Sequence, residues 1–499
     1  MNYRVLFVYP NLTMTSMVPQ SIAILSSVLR ENGIETDVFD TTFYETGTQN
    51  TNAAKKDAFL VKPFDFSERG IAPKQGDVIQ DFKNKVAVFR PDLIALSFVE
   101  DTFRLGIQLL ESVGENDIPV VAGGPFCTYA ADKALRSPEI DYVVRGEGEY
   151  PLLELCRNLA SGMDIKNIRN LCYRDDGKFI MNPLRLPVDI DELPTADYSI
   201  FEENSLYRPM NGRIYRTAAI ETQRGCPFSC GYCCSGANNR LHLEHTGKRF
   251  FRKKKMARFS AELESLVKAV APEFIYFLSD VFLLMEDREF DQFCDIYSQY
   301  KLPFYMNTRA ETVTEERIGR LEELNCIRGN IGIEHGNEEF RTNVIGRKIK
   351  NTEIIRAIEI TGRSSISTAA NNIIGFPTET RELIFDTVNL NRHVAEFCDS
   401  VSCFIFAPYH GTPLRILAIE KGYLHPDTLA DSNTLVSSLL QMPHLTNDHL
   451  RGLQRTFTMY VRFPESRWNE IRIAEQFTPE GDAAFARLSG ELRKKFQTG

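Results

Sequence analysis

Glu221-Thr-Gln-Arg-Gly-Cys-Pro-Phe-Ser-Cys-Gly-Tyr-Cys-Cys234 places three cysteines, Cys226, Cys230 and Cys233, within eight consecutive residues. Fully extended, such a stretch spans roughly 25 Å, so its thiolates meet one inorganic centre only if the backbone curls tightly. Gly225 and Gly231 supply permissive backbone for that curl, and Pro227 stiffens it. Cysteine thiolates hold iron–sulfur cubanes, usually four to a cluster. A loop of three leaves one iron open, and an open metal position is where a substrate binds. The competing readings are a zinc knuckle and a set of buried thiols. Zinc wants a fourth protein ligand. Cys234, adjacent to Cys233, is poorly placed to close a tetrahedron and reads as a packed thiol, whereas His242 and His245 are available.

Upstream of this loop, short apolar runs alternate with helical patterns. The runs are Tyr3–Tyr9, Ile34–Phe39, Leu93–Phe98, Pro119–Ala122 and Tyr142–Val144. Between the first two, Ile22, Ile24, Leu25, Val28 and Leu29 mark an amphipathic helix that Asn32-Gly33 ends. Such alternation implies a parallel, doubly wound sheet that binds ligands at the carboxyl ends of its strands. Those ends carry Ser97 and Glu100-Asp-Thr, then Gly123-Gly-Pro-Phe, then Arg145-Gly-Glu-Gly-Glu149. Singly each is a turn; together on one sheet edge they make a binding site. No G-x-G-x-x-G follows the first run, which weighs against a dinucleotide fold. Thr41–Asp81 is long for a connection and rich in aromatics, and reads as a lid or packing insertion.

Downstream, alternation resumes. Arg213–Thr222 leads into the cysteine loop, and Phe274–Leu278, Phe304–Asn307, Arg328–Glu334, Thr368–Ile374 and Ser402–Phe406 follow. These six βα-like units amount to about three quarters of a TIM barrel. At strand ends stand Ser279-Asp280, Arg309, Glu334-His-Gly, Gly375-Phe-Pro-Thr-Glu-Thr380 and His410. Asp280 and Glu334 also suit helix N-caps. Arg309 and Arg341 also suit solvated or carboxylate-paired positions, and His335 and His410 either structural or proton-relay roles. Beyond about Ile419 the pattern is helical, clearest at Leu435–Leu440 and at Leu450–Phe463, which Pro464 closes.

The C-x3-C-x2-C spacing with these strand-end residues resembles the cobalamin-dependent radical S-adenosylmethionine (SAM) enzyme family, across almost the whole chain. The resemblance implies an α/β protein: an N-terminal doubly wound, Rossmann-like cobalamin-binding domain (1–150), a connector (151–205), a partial (β/α)6 barrel (206–419) and a C-terminal helical region (420–499). It assigns a [4Fe–4S] cluster to Cys226, Cys230 and Cys233. It assigns SAM to Tyr232, Ser279, Asp280, Glu334, Gly375, Phe376 and Pro377, with Thr378 replacing the second glycine of the family's G-F-P-G-E-T. Ser97, Gly123, Gly124, Gly146, Glu147 and Gly148 take positions that line the family's corrinoid pocket. Many cobalamin-binding folds carry D-x-H-x-x-G after the first strand, its histidine ligating cobalt; this chain has no histidine before His242. The implied lower face of the corrinoid is held without one.

The activity so implied is methylation of an unactivated carbon, through a 5′-deoxyadenosyl radical and methylcobalamin. The alternatives are a cobalamin-dependent cyclase or oxidase resembling the anaerobic porphyrin-ring cyclase, and a radical SAM enzyme whose cobalamin-like domain is empty. The substrate is a small molecule, lipid or peptide, and flavodoxin or ferredoxin is the kind of electron donor expected. The 499 residues are 43% hydrophobic and 25% charged with a formal charge of −9, ordinary for a soluble protein and against a nucleic-acid-binding surface. No apolar run approaches the ~20 residues of a membrane span. Eleven cysteines, seven of them scattered outside the loop, form no disulfide framework and point to a reducing cytoplasm.

Overall fold

The computed structural model describes residues 3–15, 18–46, 55–56, 59–114, 117–430 and 437–496. Its first sheet contains β1 (Arg4–Tyr9), β2 (Glu35–Asp40), β3 (Leu93–Ser97), β4 (Val120–Gly123), β5 (Tyr142–Val144), β6 (Leu171–Asp175) and β7 (Lys178–Met181), in the order β2-β1-β3-β4-β5-β6-β7. β1 to β5 are parallel, and β6 and β7 extend the edge antiparallel. The central strands are apolar on both faces because helices cover both sides, so they read as continuous runs rather than as alternating patterns. Helix Gln20–Glu31 buries Ile22, Ile24, Val28 and Leu29 and stops at Asn32. The β6–β7 hairpin turns through Asp176 and Gly177, both with positive φ, as a two-residue turn with the strand twist requires.

The second sheet contains β8 (Tyr207–Met210), β9 (Arg213–Glu221), β12 (Phe274–Leu278), β13 (Phe304–Arg309), β14 (Cys326–Glu334), β15 (Ser367–Ile374) and β16 (Ser400–Ile405). Two-residue strands β10 (Gln223–Arg224) and β11 (Arg252–Lys253) pair beside it. Its order is β16-β15-β14-β13-β12-β9-β8; all but β8 run parallel, giving the six-stranded partial barrel expected. Helix Asn447–Arg462 lies against β16, where Gln454 donates to the Cys403 carbonyl.

One helical expectation fails. Leu435 and Val436 lie outside the described residues, and 437–440 form a bend and open loop. The chain there is committed elsewhere. Ser438 N–H donates to the Asn447 side chain and Gln441 N–H to the Tyr423 carbonyl. The helix begins only at Asn447, capped by Thr446. The described part of Thr41–Asp81 packs Phe43, Phe66 and Ile71 against Met14 and Ile214, bridging the first sheet to β9. Among the described residues no helix is long and apolar enough to cross a membrane.

The carboxyl ends of the two sheets face each other. Loops after β3, β4 and β5 meet the cysteine loop and the segment after β16. Glu100 pairs with His410 at 2.7 Å, and Tyr409 donates to Asp101. Tyr129 donates to the Cys234 carbonyl, and its ring lies so close to Gly411 that a Cβ there would meet it at 2.4 Å.

Candidate active site

The cysteine loop is pinned by backbone bonds at both flanks of the barrel mouth. Gly231 N–H donates to the Ile345 carbonyl (2.7 Å), Leu414 N–H to the Gly231 carbonyl (3.0 Å), and Cys233 N–H closes a turn onto Cys230 (3.1 Å). Gly225 has φ +81°, and a Cβ there would come within 2.8 Å of the Phe250 ring. Cys226 and Cys230 are buried, and Cys233 half-buried. Burial pushes the Cys226 thiol up to about 12 and raises that of Cys233, so a cation must displace their protons. One cation already stands there. Arg309, at the end of β13, lies over the Phe228 ring, donates to Cys230 Sγ at 3.3 Å and pairs with Glu311.

Among the described residues, no three His, Cys, Asp or Glu side chains are grouped to hold one metal ion. His242 lies along helix Cys234–Thr246 with its ring against Phe250 and beside Gly146.

Beside the loop, the other strand ends form a shelf. Asp280 accepts from Ser235 Oγ at 2.8 Å, and burial raises its carboxyl pKa. Ser279 Oγ is buried without a partner. β14 shifts register between Gly332 and Glu334, and Glu334 adopts φ +66°. Burial raises the Glu334 pKa, opposed by Arg347 (3.1 Å) and a hydrogen bond from Tyr232. The ring centroid of Tyr232 lies 6.1 Å from that of Phe376. Neither Asp280 nor Glu334 caps a helix: Glu286 and Asn337 cap the helices that follow.

Glu379 organises the Gly375 turn, a role the sequence did not disclose. Its Oε2 accepts from the N–H groups of Gly375 and Phe376, and its Oε1 meets His335 Nε2 at 3.0 Å. Asn337 N–H donates to His335 Nδ1, so the ring proton is on Nε2 and His335 serves structure. Thr378 takes φ +71°, the conformation that explains a glycine at this position of the motif. Arg341 is wholly buried and donates to the His335 and Ile349 carbonyls.

Between the two sheets lies a cavity of about 680 Å3, within the range of cofactor pockets. All six strand-edge residues, Ser97, Gly123, Gly124, Gly146, Glu147 and Gly148, line it, as do Glu221, Arg224, Leu278 and Tyr409 from the barrel side. Gly124 has φ +116°, and a Cβ there would stand 2.2 Å from the Phe98 carbonyl oxygen, so no other residue fits. The Glu147 carboxylate is committed to the domain junction: Oε1 pairs with Arg224 and Arg252, and Oε2 accepts from Val188 N–H. Arg224 also binds Glu149 (2.7 Å) and Glu221 (2.9 Å). Burial opposes its charge, but the three carboxylates outweigh burial and hold it protonated. Pro10, Asn11, Leu12 and Thr15, which follow β1, also line the cavity.

The Radical SAM superfamily matches residues 220–390 and the B12 binding domain residues 64–156. The chain is 28% identical over 426 residues to an uncharacterised methyltransferase of Pyrococcus horikoshii, covering 84% of this chain and 88% of that one. It is 27% identical over 323 residues to the anaerobic magnesium-protoporphyrin IX monomethyl ester cyclase of Rubrivivax gelatinosus, covering 62% of this chain and 56% of the cyclase. The radical S-adenosylmethionine methyltransferase TsrM of Kitasatospora setae, solved with cobalamin and a [4Fe-4S] cluster, matches with a TM-score of 0.65 over 99% of both chains at 16% identity, a likeness of fold. Both family matches fall on the sheets that face each other, so the chain is a radical SAM enzyme with a B12-binding domain. It carries a domain of each of these two families and is similar to a methyltransferase along most of its length.

Proposed function

We propose that the chain is a methyltransferase acting on an unactivated carbon, with a [4Fe–4S] cluster, SAM and cobalamin as its cofactors. The observation that carries this reading is a cavity shared by the carboxyl ends of both sheets, lined on the barrel side by Glu221 and Arg224, which lead into the cysteine loop. The Pyrococcus horikoshii relative, matched along 88% of its own length, is described as an uncharacterised methyltransferase, whereas the Rubrivivax gelatinosus cyclase is matched over 56%.

When bound, the cluster supplies the electron that cleaves SAM, and the corrinoid supplies the methyl group. Cys226, Cys230 and Cys233 hold the cluster, and Arg309 sets a positive charge against Cys230. The unpartnered Ser279 Oγ and the Asp280 carboxylate take the amino group of SAM. Glu334, held by Tyr232 and Arg347, faces its ribose, and Gly375, Phe376 and Pro377 flank the adenine with Tyr232. Ser97, Gly123, Gly124, Gly146 and Gly148 admit the corrinoid by presenting little side chain, and Glu147 holds the cavity wall to the barrel. The substrate binds in the space between the two sheets. A flavodoxin- or ferredoxin-type protein delivers electrons, and eleven free cysteines suit a reducing cytoplasm.

An anaerobic assay with methyl-labelled SAM, using cell extract as the acceptor pool, tests the proposal. Label entering a substrate, with 5′-deoxyadenosine formed, supports it. The cyclase reading, favoured by identity to the porphyrin-ester cyclase, instead predicts a product without an added methyl group. An empty first domain predicts SAM cleavage with no bound corrinoid.

A further inference from the structure

Two side chains of the interdomain cavity carry buried polar atoms with no partner in the protein. Gln20 opens helix Gln20–Glu31, is 6% exposed and lines the cavity, yet neither its Oε1 nor its Nε2 is hydrogen-bonded. Glu149 opens helix Glu149–Ser161, is also 6% exposed and lines the same cavity. Its Oε1 accepts from Arg224, while its Oε2 is buried and bare. Buried polar atoms are ordinarily paired, and a bare carboxylate oxygen is among the most expensive to leave so. The two helices pack side by side, and Leu25 of the first lies against Gly148, next to Glu149. Both open groups therefore belong to one wall.

Their chemistry selects the group that completes them. Glu149 Oε2 only accepts, and the Gln20 amide both donates and accepts. Glu147, Glu149 and Glu221 crowd around Arg224, with Arg252 as the other cation, so an anionic ligand group would meet excess negative charge. A neutral primary amide meets all the requirements: its N–H donates to Glu149, and it pairs with the amide of Gln20. The rim of a corrin ring carries such amides. We propose that Gln20 and Glu149 form a subsite that reads the peripheral carboxamides of the corrinoid and rejects carboxylates in their place. The inference rests on the reading of this cavity as the corrinoid site.

The test is equilibrium binding to the full-length apoprotein, under anaerobic conditions, of cobalamin and of its monocarboxylate derivatives, each with one side-chain amide hydrolysed. The parent protein should bind at least one monocarboxylate about tenfold or more weakly than cobalamin, the discrimination expected for a hydrogen bond to a buried charge. E149Q should narrow that gap, because its amide oxygen still accepts from Arg224 while its NH2 faces the cavity. Q20L should weaken cobalamin binding while the apoprotein melts no lower, since it removes a side chain that makes no bond in the protein. Equal binding of cobalamin and every monocarboxylate overturns the subsite, as does an unchanged ratio in E149Q. Failure of the parent to bind cobalamin at all defeats the corrinoid reading of the cavity, and the subsite with it.

Discussion

A thiol that ligates and a thiol that packs differ in what their loss removes. C226A, C230A and C233A are each expected to abolish SAM cleavage, read as 5′-deoxyadenosine, and to lower bound iron. C234A should keep both, because that residue contributes its carbonyl to Tyr129 and opens a helix. Reductive cleavage retained in any of the first three would refute the ligand assignment. Glu334 supplies a pH test. Burial raises its folded pKa above the ordinary carboxyl value, so protonation stabilises the native state, and that stability is lost as pH rises through the folded pKa. The melting temperature of E334Q relative to the parent should therefore climb as pH rises above the ordinary carboxyl value of about 4.3. A flat or falling difference would contradict the burial argument. The tight curl of the cysteine loop was legible from its spacing and glycines. Arg309 was not, since its contact with Cys230 depends on β13 ending beside Phe228, a neighbour some eighty residues earlier in the chain.

Among the elements, the turn after β15 carries a removable strain. Thr378 holds a left-handed backbone, and T378G should raise stability by about 0.5–1 kcal/mol, measured by thermal or denaturant unfolding. A loss of stability would mean that the Thr378 side chain makes up for its backbone. Strands were read to within a residue or two, as at Tyr142–Val144 and Phe274–Leu278, because buried parallel strands are apolar runs cut off by small or polar residues. The expected helix at Leu435–Leu440 failed for the opposite reason. Its apolar spacing is helical, but the Ser438 N–H is claimed by Asn447, and that of Gln441, the residue after the stretch, by Tyr423, which no local pattern records.

At the scale of the molecule, the cavity depends on the carboxyl ends of the two sheets facing each other. Arg224 is the charged joint. R224M leaves Glu147, Glu149 and Glu221 without their shared cation, a loss of about 3–5 kcal/mol for a broken buried pair. It should lower the unfolding midpoint and weaken corrinoid binding together; an unchanged protein would contradict the joint. Glu100 and His410 were each legible as strand-end residues, but their pairing was not, because they stand 310 residues apart. The claim on which the rest depends is that Cys226, Cys230 and Cys233 hold an iron–sulfur cluster at the barrel mouth. Protein purified and reconstituted without air, then assayed for iron and acid-labile sulfide, tests it most directly. About four of each per chain, with visible absorption that bleaches on reduction, is the predicted result. Protein with neither iron nor sulfide would contradict the account.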